Sequence, residues 1–94
     1  MALLDLLGRR QALRIVWELR ERRLTFRALQ TASGGLSPTV LNQRLKELRE
    51  TVLVDRNPGG YGLTVLGHQL LEVLQPLSDW SKQRWAKSIG KREP

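Results

Sequence analysis

Between Thr25 and Leu63 the chain carries helix-start and turn signals in an order that few folds can use. Ser37 followed by Pro38 is the sharpest of them. A Ser hydroxyl accepts a bond from an unpaired amide of the first turn, and Pro at the first helical position has no amide to leave unpaired and already holds a helical φ. Gly34 and Gly35 stand just ahead and take positive φ at little cost, so residues 33–36 read as a tight turn. Before that turn, Thr25 is placed to cap a short helix on which Phe26, Leu29 and Ala32 recur at helical spacing. After it, a helix is expected from Pro38 to about Glu50. The short β-branched run 52–56 (VLVDR) and the return 61–63 then pair as a hairpin across Asn57, Pro58, Gly59 and Gly60. Pro58 and Gly59 at the central positions fit a type II turn, in which Gly59 takes the positive φ. Short helix, glycine turn, capped helix and tight hairpin is the order of a helix-turn-helix with a wing.

Helical segments flank this unit. Residues 2–7 (ALLDLL) form a short apolar helix ending near Gly8, and a second helix is expected from Arg10 to about Arg22. On it Leu13, Val16, Trp17 and Leu19 make a buried stripe that leaves Arg9, Arg10, Arg14 and Arg20 mostly outside. Past the hairpin, Thr64 caps a long helix bearing Val65, Leu66, Leu70, Leu71, Val73 and Leu74, which Pro76 should kink or restart. Leu77, Trp80, Trp85 and Ile89 follow among Lys82, Arg84, Lys87, Lys91 and Arg92, an amphipathic pattern fading into a polar tail. The expectation is one mainly helical (α+β) domain over residues 1–94. Its helix-turn-helix spans about 25–50, its wing about 52–63 and its C-terminal dimerisation helix about 64–89.

Sixteen Lys and Arg stand against nine Asp and Glu, a formal net charge of +7, so a polyanion is the natural partner. The composition has no cysteine, which removes disulfides, thiolate metal sites and thiol catalysis from these residues. No apolar run approaches the roughly 18 residues of a membrane span, and the expected protein is soluble and cytoplasmic. His68 has no Cys, Asp or Glu cluster around it in sequence. With no nucleophile–base pair, carboxylate dyad or phosphate loop either, the chain reads as a protein that is not an enzyme and uses no cofactor or metal.

Stepping residues 38–50 by about 100° each puts Leu41, Leu45 and Leu48 on one side with Val40 at its flank. Thr39, Asn42, Gln43 and Lys46 fall opposite, with Glu50 further along. These are the base-reading candidates: Asn and Gln pair bidentately with adenine, Lys reaches guanine acceptors, and a Thr methyl touches thymine. A merely solvated face is the alternative. Arg44 and Arg49 flank that surface as phosphate contacts, although a local carboxylate such as Glu47 competes for them. Thr25, Arg27 and Ser37 at helix starts, and Arg56 and Asn57 on the hairpin, complete the phosphate candidates. Phe26 and Trp17 are assigned to packing. Leu3, Leu4, Leu7, Leu77, Trp80 and Trp85 have little central core to meet, so a second copy of the chain is the simplest cover, with folding back on the same chain as the alternative.

The run GLSPTVLNQRLKELRETVLVDR, residues 35–56, closely resembles the recognition helix and first wing strand of the HxlR family of transcription regulators. The resemblance continues through LLGRRQALRIVWELRERRLTFRALQTA upstream and YGLTVLGHQLLEVLQPLSDW downstream, covering roughly residues 3–85. It implies a homodimeric winged helix joined through its terminal helices, and such a dimer is expected to read double-stranded DNA with a preference for an inverted repeat as operator. There are departures. Arg9, Arg10 and Gln11 stand where the family often has Gly, Lys and Trp. Val52 replaces its usual glycine after the recognition helix, and the wing is short. The oxidant-sensing cysteine of many members is missing. A winged helix used for protein contacts, with its basic face only solubilising, is the competing reading.

Overall fold

The computed structural model describes residues 3–9 and 11–90, with the side chains of Ile89 and Gly90 left aside. Ala2, Arg10, Lys91 and Arg92 therefore lie outside the described residues. The elements run α1 (Leu3–Leu7), α2 (Ala12–Glu18), α3 (Phe26–Ala32), α4 (Pro38–Glu50), β1 (Val54–Asn57), β2 (Gly60–Leu63), α5 (Val65–Trp80), a π-helical turn (Ser81–Trp85) and α6 (Ala86–Gly90). The strands pair antiparallel, Val54 opposite Leu63 and Asn57 opposite Gly60. This is the mainly helical winged fold expected.

One hydrophobic core joins α1 through to the wing, with Leu70 and Leu71 of α5 packed against it. Leu41, Leu45 and Leu48 of α4 are buried with Leu6 of α1, Ile15, Val16 and Leu19 around α2, Leu29 of α3, and Leu53, Val54 and Tyr61 of the wing. Fully burying one such side chain stabilises by about 1.5–3 kcal/mol, which outweighs the weak helix propensity of segments as short as α1 or α3. Leu6 shows that the N-terminal segment does meet the core; its neighbours Leu3 and Leu4 stay exposed and Leu7 is half-buried.

Helix α2 departs from expectation in length and in rotation. Its buried row is Ala12, Ile15, Val16 and Leu19, while Leu13 and Trp17 are each 41% exposed. Residues 12, 15, 16 and 19 form one i, i+3, i+4, i+7 stripe; 13 and 17 lie on the next row and face an open cleft against Leu71, Leu74 and Leu77 of α5. The Arg20 guanidinium covers the Trp17 ring at 3.8 Å, so this tryptophan is a half-exposed platform and not a core residue. Nor does helix α5 restart at Pro76. The helix runs through it to Trp80, because both Pro76 and Glu72, whose carbonyl loses its donor, are exposed to water; the irregularity comes later, in the π-helical turn.

The hairpin turn also differs. Positive φ falls on Gly60 (114°), at the head of β2, and not on Gly59. The Gly59 amide instead donates to Asn57 Oδ1 at 2.7 Å, an Asx arrangement that folds the turn from its first residue. Gly60 is needed there because a Cβ would stand 2.7 Å from the Leu24 carbonyl carbon.

Helices α3 and α4 end in the same motif with different residues. Gly35 donates to Gln30 O at 2.9 Å and Gly34 to Thr31 O at 3.2 Å; Leu53 donates to Leu48 O at 3.0 Å and Val52 to Arg49 O at 3.0 Å. Both are Schellman closures, with the left-handed position held by Gly34 (φ 83°) in one and Val52 (φ 64°) in the other. Residues 52 and 53 thus serve the helix end, and the strand begins two residues later than expected. A β-branched residue in the left-handed region costs about 1–2 kcal/mol, held in place here by Thr64, whose hydroxyl donates to Val52 O at 2.6 Å. Val52→Gly should therefore stabilise the fold by about 1 kcal/mol after allowing for the freer unfolded chain. The corresponding rise in Tm is about 4–8 °C at fixed protein concentration. An unchanged or lower Tm would mean that the valine side chain repays its strain.

Candidate nucleic-acid interface

Helix α4 begins where Ser37 Oγ accepts from the Val40 amide at 3.2 Å, and α3 where Thr25 Oγ1 accepts from the Ala28 amide at 3.2 Å. Each hydroxyl uses its oxygen on the helix and keeps its proton available to an outside acceptor. The turn between the helices is fastened by Gln30 Nε2 donating to Leu36 O at 2.7 Å. The two helix starts are thus fixed relative to one another.

With Leu41, Leu45 and Leu48 buried, Thr39, Asn42, Gln43 and Lys46 are all exposed, as is Glu50. Among the phosphate candidates, Thr25, Arg27, Ser37, Arg49, Arg56 and Asn57 are exposed as well. Lys46 and Arg49 border an open groove whose other wall is the wing, with Val54 and Arg56. Glu50 and Asp55 line it too, so the structure brings the C-terminal half of α4 and the first wing strand to one charged cleft in which three cations stand beside two carboxylates. The Arg56 guanidinium lies 5.5 Å over the ring of Tyr61, its cross-strand partner.

Other candidates are committed elsewhere. Arg44 is half-buried and its Nη1 meets Glu47 Oε1 at 2.9 Å, the local carboxylate that its spacing of three residues suggested. Asn57 spends its carbonyl oxygen on the turn. Of the apolar terminal residues, Leu77, Trp80 and Trp85 are each about half exposed, like Leu3. Phe26 is half-buried against the core, which is the packing role expected of it.

Sequence reasoning missed Arg23. Its Nη2 pairs with Asp55 Oδ1 of β1 at 2.6 Å, its Nη1 donates to Gly60 O at 3.2 Å, and its stem lies over Gly62, where a Cβ would meet it at 2.8 Å. Beside it the Leu24 and Tyr61 backbones exchange hydrogen bonds of 3.0 and 2.8 Å. The start of α3 and the wing are therefore one piece, which sets how far the wing stands from α4. No local spacing pointed to it, because its partners Asp55 and Gly60 lie on β1 and β2, far off in sequence. Both members of the Arg23–Asp55 pair are a third or more exposed, so the pair contributes about 1 kcal/mol or less. Arg23→Ala should speed hydrogen exchange at the Tyr61 amide by about fivefold or less while leaving the α4 amides unchanged. Equal acceleration in both would mean that Arg23 supports the whole fold and not the wing.

The HxlR-like helix-turn-helix family model matches residues 6–89. An uncharacterised HTH-type transcriptional regulator of Methanocaldococcus jannaschii is 25% identical over 92 residues, 94% of this chain and 86% of that protein. Among solved structures, quinone-bound YodB from B. subtilis superposes with a TM-score of 0.80 at 31% identity, covering 85% of this chain and 91% of that one. A possible HxlR family transcriptional factor from Thermoplasma volcanium gives 0.78 at 28%, covering 99% and 84%.

Proposed function

The chain belongs to the HxlR-like helix-turn-helix family and is a helix-turn-helix transcriptional regulator, and from that premise we propose that it reads a specific duplex sequence as a homodimer. In this reading residues 1–94 act as one DNA-binding domain. Helix α4 lies in the major groove, its roughly 20 Å length matching what the groove admits. Thr39, Asn42, Gln43 and Lys46 meet base edges. The free hydroxyls of Thr25 and Ser37, with Arg27, Arg49 and Arg56, hold the backbone and set the register. Arg44 and Asn57, bound within the protein, contribute less. The observation that carries the reading is the exposure of all four base-reading candidates on a helix whose opposite face is locked into the core.

Dimer formation is supported by the apolar surface left open on α1 and along α5 and the following turn, where Leu4, Val73 and Leu77 are 79%, 73% and 59% exposed. In this reading a second copy covers it by two-fold symmetry, and two α4 helices entering successive major grooves, about 34 Å apart, select an inverted repeat. As for location, no helix among the described residues is long and apolar enough to cross a membrane, and the proposed site of action is the cytoplasm.

Selection from a random duplex library, read beside the mass of the free protein, tests both parts. The expected outcome is an inverted repeat and twice the chain mass. Affinity for the selected duplex should fall with salt on a log–log slope of about 0.9 per phosphate contact, and Lys46→Glu should abolish preference without altering Tm. Leu77→Asp should give a folded monomer that binds far more weakly. Equal affinity for every duplex, with Lys46→Glu harmless, would instead favour a module for protein contacts.

A further inference from the structure

Glu47 is the buried carboxylate of the described residues, 5% exposed on a helix otherwise anchored by leucines. A buried carboxylate needs partners, and Glu47 has them on both oxygens. Arg44 Nη1 meets Oε1 at 2.9 Å; Gln43 Nε2 donates to Oε2 at 3.4 Å, and Arg9 Nε stands 3.5 Å from the same atom. Gln43 and Arg44 precede it on α4 itself. Arg9 comes from the link between α1 and α2, so this carboxylate is where the N-terminal arm touches the reading helix electrostatically.

We propose that Glu47 is a positioning residue for base readout, its carboxylate aiming the Gln43 amide and tying the α1–α2 link to α4. The chemistry is specific. A carboxylate only accepts, so Gln43 must turn its NH2 group inward, which fixes the orientation of the amide. One N–H then goes to Glu47, leaving the carbonyl oxygen and the second N–H as the donor–acceptor pair that an adenine edge requires. A Gln held this way loses less rotamer freedom when it meets a base. Arg9 completes the device by holding Oε2 in place, and its own position depends on α1, whose Leu6 is in the core and whose Leu3 and Leu4 are exposed. Whatever covers those leucines is therefore mechanically connected to Gln43.

The proposal rests on the DNA-readout reading, and three single variants and one double variant separate the two. Arg9→Gln lowers the net charge by one and Glu47→Gln raises it by one, so an effect of net charge alone moves their affinities in opposite directions. Positioning predicts the same direction for both: the ratio of affinities for the selected and a scrambled duplex falls about three- to tenfold in each. Arg9→Lys restores most of the ratio, and the double variant is no worse than Glu47→Gln alone. In the free protein, the Gln43 side-chain amide signals should shift on Arg9→Gln and return with Arg9→Lys. Opposite-signed changes, an unchanged ratio or unmoved Gln43 signals would overturn the proposal. If the unaltered protein shows no preference among duplexes, the readout reading falls, and the Gln43 signals still decide the link by themselves. Arg9 is 45% exposed, so its variants keep the test valid even if Glu47→Gln does not fold.

Discussion

The rotation of α4 about its own axis is the constraint from which the rest follows. Leu41, Leu45 and Leu48 occupy one face and are buried to within 2% of completely. Turning the helix by a single residue, about 100°, would withdraw all three from the core, at about 1.5–3 kcal/mol each, and push Asn42 or Lys46 into it. No surface interaction competes with that sum. The exposed face of α4 is thus decided by the apolar face behind it, and four other elements give those leucines something to meet, through Leu6, Ile15, Leu29 and Val54.

Helix ends then convert one rotation into a fixed frame. Ser37 and Thr25 set the starts of α4 and α3, and two Schellman closures set their ends. The second closure is strained by Val52, and Thr64 holds it from both sides: its hydroxyl donates to Val52 O while accepting from the Gly67 amide at 3.1 Å. One side chain therefore binds the end of α4 to the start of α5, with the wing looping out between them. Arg23 fastens that loop from the other side. The short wing needs little reach of its own, since its distance from α4 is governed at both bases.

What could be read from the sequence was what depends on local chemistry. The bounds of α4, the caps at Thr25, Ser37 and Thr64, and the turn at Gly34 and Gly35 each rest on a residue whose preferred conformation or free hydroxyl suits one position. Three things resisted. The rotation of α2 is a tertiary choice, because Leu13 with Trp17 and Ala12 with Ile15 and Val16 make equally good stripes until α1 and α4 are placed around them. The positive φ at Gly60 instead of Gly59 follows from a carbonyl at Leu24, far off in sequence. Arg9 and Arg23 looked like two more surface cations; their partners Glu47 and Asp55 lie on other elements, and no spacing rule links them. At the candidate site, the exposed row on α4 was legible by periodicity, while the network behind Gln43 was not.

The apolar surface of α5 is wider than one chain can use. Leu66, Leu70, Val73 and Leu77 lie in one row and Leu71 and Leu74 in another, together an arc of about 160° at about 100° per residue. The single chain half-buries Leu70, Leu71 and Leu74 and leaves Leu66, Val73 and Leu77 open, with grooves on both sides: one beside Leu3, the other beside Leu13 and Trp17. An amphipathic helix on the surface of a monomer has no reason to carry a second apolar row facing water, since each exposed leucine gives up the burial that would stabilise it. The homodimer proposed above would supply the missing side. The groove beside Leu3 is formed with the same α1 that leads into the link bearing Arg9, so this open apolar surface and the Glu47 carboxylate behind the exposed row of α4 are separated by one short helix.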